Sequence, residues 1–500
     1  MLVGLNTVSW GKTRPILYQI CGGKESELFH SIIRYHWENF MERTDIYLEI
    51  IISQPWLLTP MVLLVLLFFM VPAEKRLFLS LMLVTPWLSM ARAQDLSLIA
   101  AGAKLSSGLS FLLVAYAAIT HPFPKRQLPL IVYLYPVMAF IWILLILGVE
   151  ERSVGVVLRI QWLCITVAGV SLARTIVTYK DFKRIVNGFT VGCMIALLIP
   201  ISALVLFPGE SFLKGIGRFQ PYGSNSNQVG MLFALAAPLL GYAMLTWPKK
   251  YRPMIIFYLS LTLGMALLTA SRQTSLAILM TSFPILFVLS KRPIVTIVGL
   301  VIAAAGIGWI LSIGGDTSPI DRLGSLETGR PQLWYRYITE VYTGSPLYGL
   351  LGSSGESYFR SNIIGQHPHS AWMNMMYHGG LLLFIPQITL VIYSCYAGIR
   401  VWANRKYLNG DPLLFSIVLL LLLAMYVQGT FNQVVYWPTY SWSFLHVALA
   451  STFIALWAAI RDEGVEYALP ADYSDGTEYW EEEYSEEDEP EVEEFTDYRV

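Results

Sequence analysis

The stretch PLLFSIVLLLLLAMYVQG, residues 412–429, decides the fold because none of its 18 residues carries a charge. A helix rises about 1.5 Å per residue, so about 20 apolar residues cross a hydrocarbon core of about 30 Å. Lipid offers the backbone no hydrogen-bond partner, and a chain inside it must pair its own amides. The stretch is therefore predicted to be a transmembrane helix.

Similar runs follow one another along most of the chain, which is 55% hydrophobic and only 14% charged. A soluble domain with that balance would have too little polar surface to cover itself. The sequence predicts an all-α polytopic membrane protein, a bundle of about 12–13 transmembrane helices whose first two segments could form a hairpin. The candidate segments are 55–72, 77–91, 98–120, 128–148, 153–173, 185–207, 228–247, 253–270, 274–290, 293–313, 379–398, 412–429 and 440–460.

Three regions follow from this pattern: a polar N-terminal segment (1–46), a transmembrane domain (47–460) with a long polar loop (314–378), and an acidic tail (461–500). Residues 462–500 hold 17 of the 35 acidic residues, and the rest of the chain has 33 basic and 18 acidic residues. The tail cannot bury enough apolar area to fold alone, so it is predicted to be disordered. It is either a solvated extension or a segment that docks to a basic partner.

The loops predict the orientation, because Lys and Arg concentrate in every second loop, as at Lys249, Lys250, Lys291 and Arg292. Short loops rich in positive charge stay in the cytoplasm. This register puts the loop 314–378 on the outer face and the acidic tail in the cytoplasm. The excess of positive charge also suits anionic or phosphorylated lipids, although the ordinary orientation bias accounts for part of it.

A histidine pair stands out in the long loop, where His367 and His369 flank a proline just before the eleventh segment. A neutral imidazole at this place could accept a proton from a hydroxyl nucleophile. The pair could instead form interfacial hydrogen bonds, or a weak metal site if at least one further ligand converges on it. Earlier in the same loop, residues 333–341 are predicted to form a short helix, and Trp334 could stack on a sugar or anchor at the interface.

Arginines are predicted to gather on the same outer face. Arg272 lies where two segments meet, and there it could extend to the headgroups or bind a phosphate with its planar fork. Arg159 lies about two turns inside the fifth segment, a depth at which charge tends to face a cavity. Arg218 precedes Asn227 in an outer loop, and Arg330 lies in the long loop. By themselves these residues predict an enzyme or carrier that acts on an anionic lipid.

The order of these features carries a family resemblance over residues 190–430. The motifs are GSNSN (223–227), Ser271-Arg272, GRPQLW (329–334), SPLYG (345–349), HPHS (367–370) and Gly379-Gly380. In this order and placement, they resemble the O-antigen ligase and polymerase superfamily of bacterial membrane glycosyltransferases. Ser370 stands where many relatives have Asn, and the acidic tail is not part of the family pattern.

The resemblance implies a metal-independent, inverting transfer of a saccharide, without a cofactor, from an undecaprenyl-diphosphate donor to an acceptor hydroxyl. The reaction would take place on the outer side of the bacterial cytoplasmic membrane, in the polymerisation or ligation of O-antigen or exopolysaccharide. By the resemblance, His369 is the catalytic base, and Arg272 and Arg330 bind the donor diphosphate. Arg218 and Arg159 are candidates to join them, with His367, Trp334 and Asn227 in support.

Several alternatives stay open at this point. A polymerase, a ligase and a protein O-oligosaccharyltransferase differ only in the acceptor, which is a lipid-linked glycan, a lipid-anchored core sugar or a protein hydroxyl. A flippase or transporter for the same lipid-linked oligosaccharide is the alternative from another class, although no inverted repeat is visible. The expected partners are the lipid-linked donor, the acceptor, membrane lipids and, through the acidic tail, a chain-length or export protein. No nucleic acid is expected.

Overall fold

The computed structural model describes residues 59–90, 109–145, 153–213, 217–290, 330–342, 350–352, 370–431 and 442–472. Several expectations fall on residues outside these ranges: those for the N-terminal segment 1–46, the segment 293–313, both loop histidines and the motif 345–349. The chain divides into two compact units, residues 1–67 and 68–500.

Helices dominate the described residues. The first are α1 (Thr59–Met70), α2 (Ala73–Met90), α3 (Leu109–Ile119), a 3₁₀ turn (Leu130–Tyr133), α4 (Leu134–Leu145), α5 (Ser153–Arg174) and α6 (Tyr179–Leu206). A small antiparallel hairpin and two further 3₁₀ turns accompany the next three: β1 (Phe212–Leu213), β2 (Arg218–Phe219), Pro221–Gly223, α7 (Ser226–Thr246), Lys249–Tyr251, α8 (Arg252–Leu268) and α9 (Arg272–Ser290). The last are α10 (Arg330–Arg336), a π-helical turn (Tyr337–Tyr342), α11 (Ala371–Asn404), α12 (Pro412–Phe431), α13 (Ser443–Glu463) and α14 (Val465–Ala468).

Six of the described helices are long and apolar enough to cross a membrane. They are α6, α7, α8 together with its preceding 3₁₀ turn, α11, α12 and α13. The described part of the chain is therefore that of an all-α, multi-pass membrane protein. The expected total of twelve or thirteen spans stays a prediction.

The polar start of α6 shows why one boundary differs from the sequence expectation of 185–207. Thr178 and Asp181 form a reciprocal cap, in which the Asp181 carboxylate accepts from the Thr178 amide (2.9 Å) and the Thr178 hydroxyl accepts from the Asp181 amide (3.2 Å). Such a cap satisfies amides that the first turn leaves unpaired. The helix therefore begins at Tyr179, and Lys180, Lys183 and Arg184 lie in its first two turns.

α13 lies at the centre of the bundle, since its residues 443–460 are buried almost without interruption. It packs closely on α5, where a Cβ on Gly169 would lie 2.8 Å from Cγ1 of Val447. Small residues let two backbones approach where lipid supplies no hydrophobic force between helices. α13 also packs against the C-terminal half of α11, where the ring centroids of Tyr396 and Trp457 lie 5.9 Å apart.

The first residues of the predicted acidic tail lie folded against the bundle. Residues 461–472 complete α13, form the short helix α14 and fold back on the bundle, with Ala468 and Leu469 fully buried. These two apolar side chains lie within a polar stretch, and their burial holds the segment on the bundle. The average composition of the tail is too polar to predict that burial. Residues 473–500 lie outside the described part of the chain.

Candidate functional site

One end of the bundle holds a hydrogen-bonded cluster centred on Asn227. The β1–β2 hairpin presents Arg218, which is partly buried. Its Nε donates to the Thr269 carbonyl (2.9 Å), and its Nη2 donates to Oδ1 of Asn227 (3.0 Å). The Ser271 hydroxyl donates to the same Oδ1 (3.1 Å). The cluster therefore joins the β1–β2 hairpin to the starts of two helices.

The local backbone explains how these groups come to face each other. The Asn225 side chain caps α7 by accepting from the Asn227 amide (2.9 Å). Between α8 and α9 the chain turns within three residues, and Ala270 takes a left-handed conformation with φ of 47°. A residue with a Cβ seldom adopts that conformation unless its surroundings require it. The turn places Ser271 at the head of α9.

α7 and α9 run side by side in the same direction. Asn227 contacts Ser271, a Cβ on Gly230 would lie 1.9 Å from Oγ1 of Thr274, and a Cβ on Gly241 would lie 2.9 Å from Cδ1 of Ile285. Each pair is separated by 44 residues, so the two helices keep one register and begin at the same level. The positive ends of their dipoles therefore lie together beside Arg218.

Two further hydrogen bonds bring α12 and α11 to this end of the bundle. Nε2 of Gln428 donates to the Gln273 carbonyl in the first turn of α9 (3.3 Å). Nε1 of Trp372 donates to Oγ1 of Thr430, two residues further along α12 (3.1 Å). α11 begins immediately after Ser370, which is buried. Ser370, which follows His369 and precedes α11, and Arg272, which precedes Gln273 and begins α9, therefore lie at the same end of the bundle.

A glycine break in α11 differs from the sequence expectation that Gly379-Gly380 opens this span. The helix begins at Ala371, and Gly380 interrupts it with φ of 56° and ψ of −160°. A Cβ on Gly380 would lie 2.3 Å from the Leu350 carbonyl, and a Cβ on Gly352 would lie 2.5 Å from the Gly380 amide. The glycines are needed because residues 350–352 of the long loop pack against the break backbone to backbone.

A second piece of the long loop also rests on α11. The predicted helix at 333–341 is α10, which starts earlier at Arg330 and continues as the π-helical turn. Tyr337 is buried, and its ring meets the ring of Tyr377 edge to face at 5.7 Å. Trp334 is partly buried. The loop is therefore anchored at two described points on either side of the 343–349 stretch.

The predicted arginines separate into distinct places. Arg218 lies in the cluster with Asn227, while the backbones of Arg272 and Arg330 begin α9 and α10. Arg159 is buried, stacks on Trp142 of α4 at 4.5 Å and donates through Nη1 to the Trp142 carbonyl. Of the predicted site residues, the structure brings together Arg218 and Asn227 and places the start of α9 beside them.

Sequence reasoning missed several polar residues of this end. Ser271 was named only as part of a motif, Gln428 was counted with the apolar segment 412–429, and Thr430, just after that segment, was not named. Asn374, one turn after Ser370, is 1% exposed, and its side-chain amide has no hydrogen-bond partner among the described residues. Amides within apolar runs were the available signal, since such groups are costly in lipid and tend to face the interior.

No protein-family model matches this chain, and neither a curated protein nor a solved structure matches it.

Proposed function

We propose that this protein transfers a saccharide from an undecaprenyl-diphosphate donor to an acceptor hydroxyl at the outer face of a bacterial cytoplasmic membrane. In this proposal the full chain has about twelve to thirteen spans, and the loop 314–378 covers the outer end of the bundle. The reaction serves polymerisation or ligation of a surface polysaccharide. The motif order described above is the reason for the reaction class.

The observation that carries the proposal is the meeting of Arg218, Asn227 and Ser271 at the paired starts of α7 and α9. Anions are favoured at helix starts because the helix dipoles add positive potential there. Arg218 adds a full positive charge, and the chain places Arg272 one residue after Ser271. A donor diphosphate is the kind of group that such an end attracts.

The joining of α11 and α12 to this end supports the role of the histidine motif. Trp372, three residues after His369, bonds to Thr430, and Gln428 bonds to the first turn of α9. A base near the start of α11 would therefore act close to a diphosphate near the start of α9. Such closeness supports the reaction, because orienting two reactants removes much of the entropic barrier between them.

The proposed step balances without a metal. The acceptor oxygen attacks the anomeric carbon and forms a new C–O bond, while the bond from that carbon to the diphosphate oxygen breaks. His369 accepts the hydroxyl proton and releases it to water. The lipid diphosphate leaves with the electron pair, and Arg272 and Arg330 stabilise the charge that develops on it. A diphosphate leaves readily as an anion, so the proposal needs no catalytic acid.

The test is glycan transfer by the purified protein with undecaprenyl-diphosphate oligosaccharide, with and without EDTA. We expect transfer to survive EDTA and the variant His369→Ala to lose activity by roughly 10²–10⁴-fold, the usual contribution of a positioned base. Donor binding should remain. His30→Ala, in the N-terminal segment, is the matched control and should transfer at the normal rate.

Full activity of His369→Ala would contradict the proposed base. The product identifies the acceptor and so distinguishes polymerase, ligase and protein O-oligosaccharyltransferase. A wild-type protein that transfers nothing to any of these acceptors, yet moves labelled lipid-linked oligosaccharide across liposomes, would replace the proposal with the flippase.

A further inference from the structure

The end of the bundle opposite the Asn227 cluster carries a segment that we name the C-terminal strap, residues 464–472. It leaves α13 through Gly464, whose φ of 93° and ψ of 161° suit glycine alone. One helical turn follows, and Ala468 and Leu469 are then fully buried against the bundle. The strap is thus a fixed part of the fold.

Arg126 and the loop after α5 hold the strap. Arg126 donates from Nε to the Ile176 carbonyl (3.0 Å) and from Nη2 to the carbonyls of Val177 (3.1 Å) and Ala468. The Tyr179 amide donates to the Pro470 carbonyl (2.8 Å). Backbone groups of the strap are therefore paired with the segment that begins α6.

The strap ends at an ion pair. Oδ2 of Asp472 lies 3.1 Å from Nζ of Lys180, and both side chains are about half exposed to solvent. Lys183 is exposed in the next turn of α6, and Arg184 follows it. The strap therefore ends beside the positively charged first turns of α6.

Two neighbouring loops extend this positive surface. A Cβ on Gly410 would lie 2.5 Å from the Tyr179 ring, which places the loop before α12 beside the strap. Nε1 of Trp247 donates to Oδ1 of Asn187 (3.2 Å), which places the end of α7 beside α6. Together these elements form what we name the basic face. Its members are Lys180, Lys183, Arg184, Lys249, Lys250 and Lys406, and all except the partly buried Arg184 are exposed.

We propose that residues 473–500 dock on the basic face of the same chain. This segment has 13 acidic residues and a single basic one, and it starts directly after the Asp472–Lys180 pair. A chain of 28 residues spans roughly 30 Å between its ends when unfolded, enough to reach every lysine of the face. Tethering also gives the segment an effective concentration on the order of millimolar, which favours it over free ligands.

The occupant follows from this geometry. Anionic lipid headgroups suit the same lysines by charge, but they compete as free molecules, whereas the strap holds the acidic segment at the edge of the face. Docking would screen the face from lipid and from acidic proteins. The proposal is independent of glycan transfer, because none of its residues belongs to the Asn227 cluster.

Carbodiimide cross-linking of the full-length protein tests the proposal, since it joins a carboxylate to a lysine amine only where they touch. The protein is placed singly in phosphatidylcholine nanodiscs, and mass spectrometry identifies lysines joined to residues 473–500. We expect products at Lys180, Lys183, Lys249, Lys250 and Lys406, and several-fold less at Lys214 between β1 and β2. The yield should fall strongly from about 10 mM to 1 M salt, as the screening length drops from about 30 to 3 Å.

Matched variants separate charge from amine chemistry. Lys180→Glu with Lys183→Glu should lower the yield at Lys249, Lys250 and Lys406, whereas Lys180→Arg with Lys183→Arg should leave that yield unchanged. Equal labelling of Lys214 and the basic face would overturn the proposal. Products found only between chains in concentrated detergent would also overturn it and would point to a basic partner protein. Loss of the products on adding phosphatidylglycerol would assign the face to lipid instead.

Discussion

The two ends of the bundle each use an arginine to join loops, but in different surroundings. Arg126 donates to three backbone carbonyls of two segments, which ties the strap to the start of α6. Arg218 donates to one backbone carbonyl and to Oδ1 of Asn227, which also accepts from Ser271, at the starts of two parallel helices. The comparison teaches that an arginine surrounded by carbonyls holds a fold together. An arginine that lies beside helix starts and bonds to a side chain is placed to bind an anion, because the anion can take the place of that side chain.

Of the changes at the two ends of the bundle, the largest effect is expected at Arg218, where the comparison predicts lost activity in a stable protein. Arg218→Ala should reduce glycan transfer by about 10²–10³-fold, the usual result of removing one preorganised donor from a developing anion. Arg218→Lys should recover only part of the rate, because an ammonium lacks the planar fork. Transfer rate and thermal midpoint are measured together. Arg461→Ala, an exposed arginine paired with Asp462, is the control and should change neither.

Arg126 should show the reverse pattern. Arg126→Ala leaves three carbonyls without their donor and should reduce the free energy of unfolding by about 3 kcal/mol, with increased proteolysis of the strap. Lys180→Ala removes only an exposed ion pair and should cost less than about 1 kcal/mol. An Arg126→Ala protein with an unchanged thermal midpoint would show that the strap is not held by this side chain.

The register of α7 and α9 gives a smaller, geometric prediction. Gly230→Ala places a methyl group 1.9 Å from Oγ1 of Thr274, so the helices must separate, at a cost of about 1–3 kcal/mol. Because Asn227 and Ser271 lie one turn above, transfer should fall as well. Gly264→Ala is the control, since nothing lies within 4 Å of its added Cβ and alanine favours a helix. Equal thermal midpoints for the two variants would contradict the close packing.

The smallest effect concerns His121, which lies in the loop after α3, near Asp181 and Arg184 at the start of α6. Burial lowers the pKa of His121 below its ordinary value, with Arg184 and Lys125 acting in the same direction and Asp181 and Glu74 opposing them. A lowered pKa means that the folded protein favours the neutral ring. Its contribution to stability is complete above pH about 6.5 and is lost as the pH falls toward the lower folded value.

Thermal midpoints measured between pH about 7.5 and 5 check this sign. The wild type should lose stability toward acid more steeply than His121→Gln, which cannot take up the proton. Parallel curves for the two proteins would show that this histidine does not titrate differently on folding.

Much of the helical architecture could be predicted from apolar run length. The segments 228–247, 253–270, 274–290 and 412–429 agree with α7, α8, α9 and α12 within two residues at each end, because lipid requires a helix wherever apolar side chains continue. Prediction was less accurate at ends rich in polar residues. α6 begins six residues early through the Thr178–Asp181 cap, and α11 begins eight residues early because the chain stays helical through its polar first turns.

The candidate site was predicted in part. Arg218 and Asn227 were named for their place in an outer loop, and they do form one cluster. The sequence could not reveal that Ser271, Thr269 and Gln428 complete this end, because their contacts join residues between 44 and 155 positions apart. The proposed roles of His369, Arg272 and Arg330 stay predictions that the transfer assay checks.

By itself, the sequence determined that this chain is helical and enters a membrane, because the length of an apolar run is a local property. It does not depend on which helices pack around that run. The tertiary structure alone decided which helix starts lie side by side, where α11 breaks, and that the strap folds back on the bundle. These depend on close contacts such as Gly230 with Thr274, Gly380 with Leu350 and Arg126 with Ala468. Each contact joins distant residues through space, and its strength depends on a fit of a few tenths of an ångström that no single segment encodes.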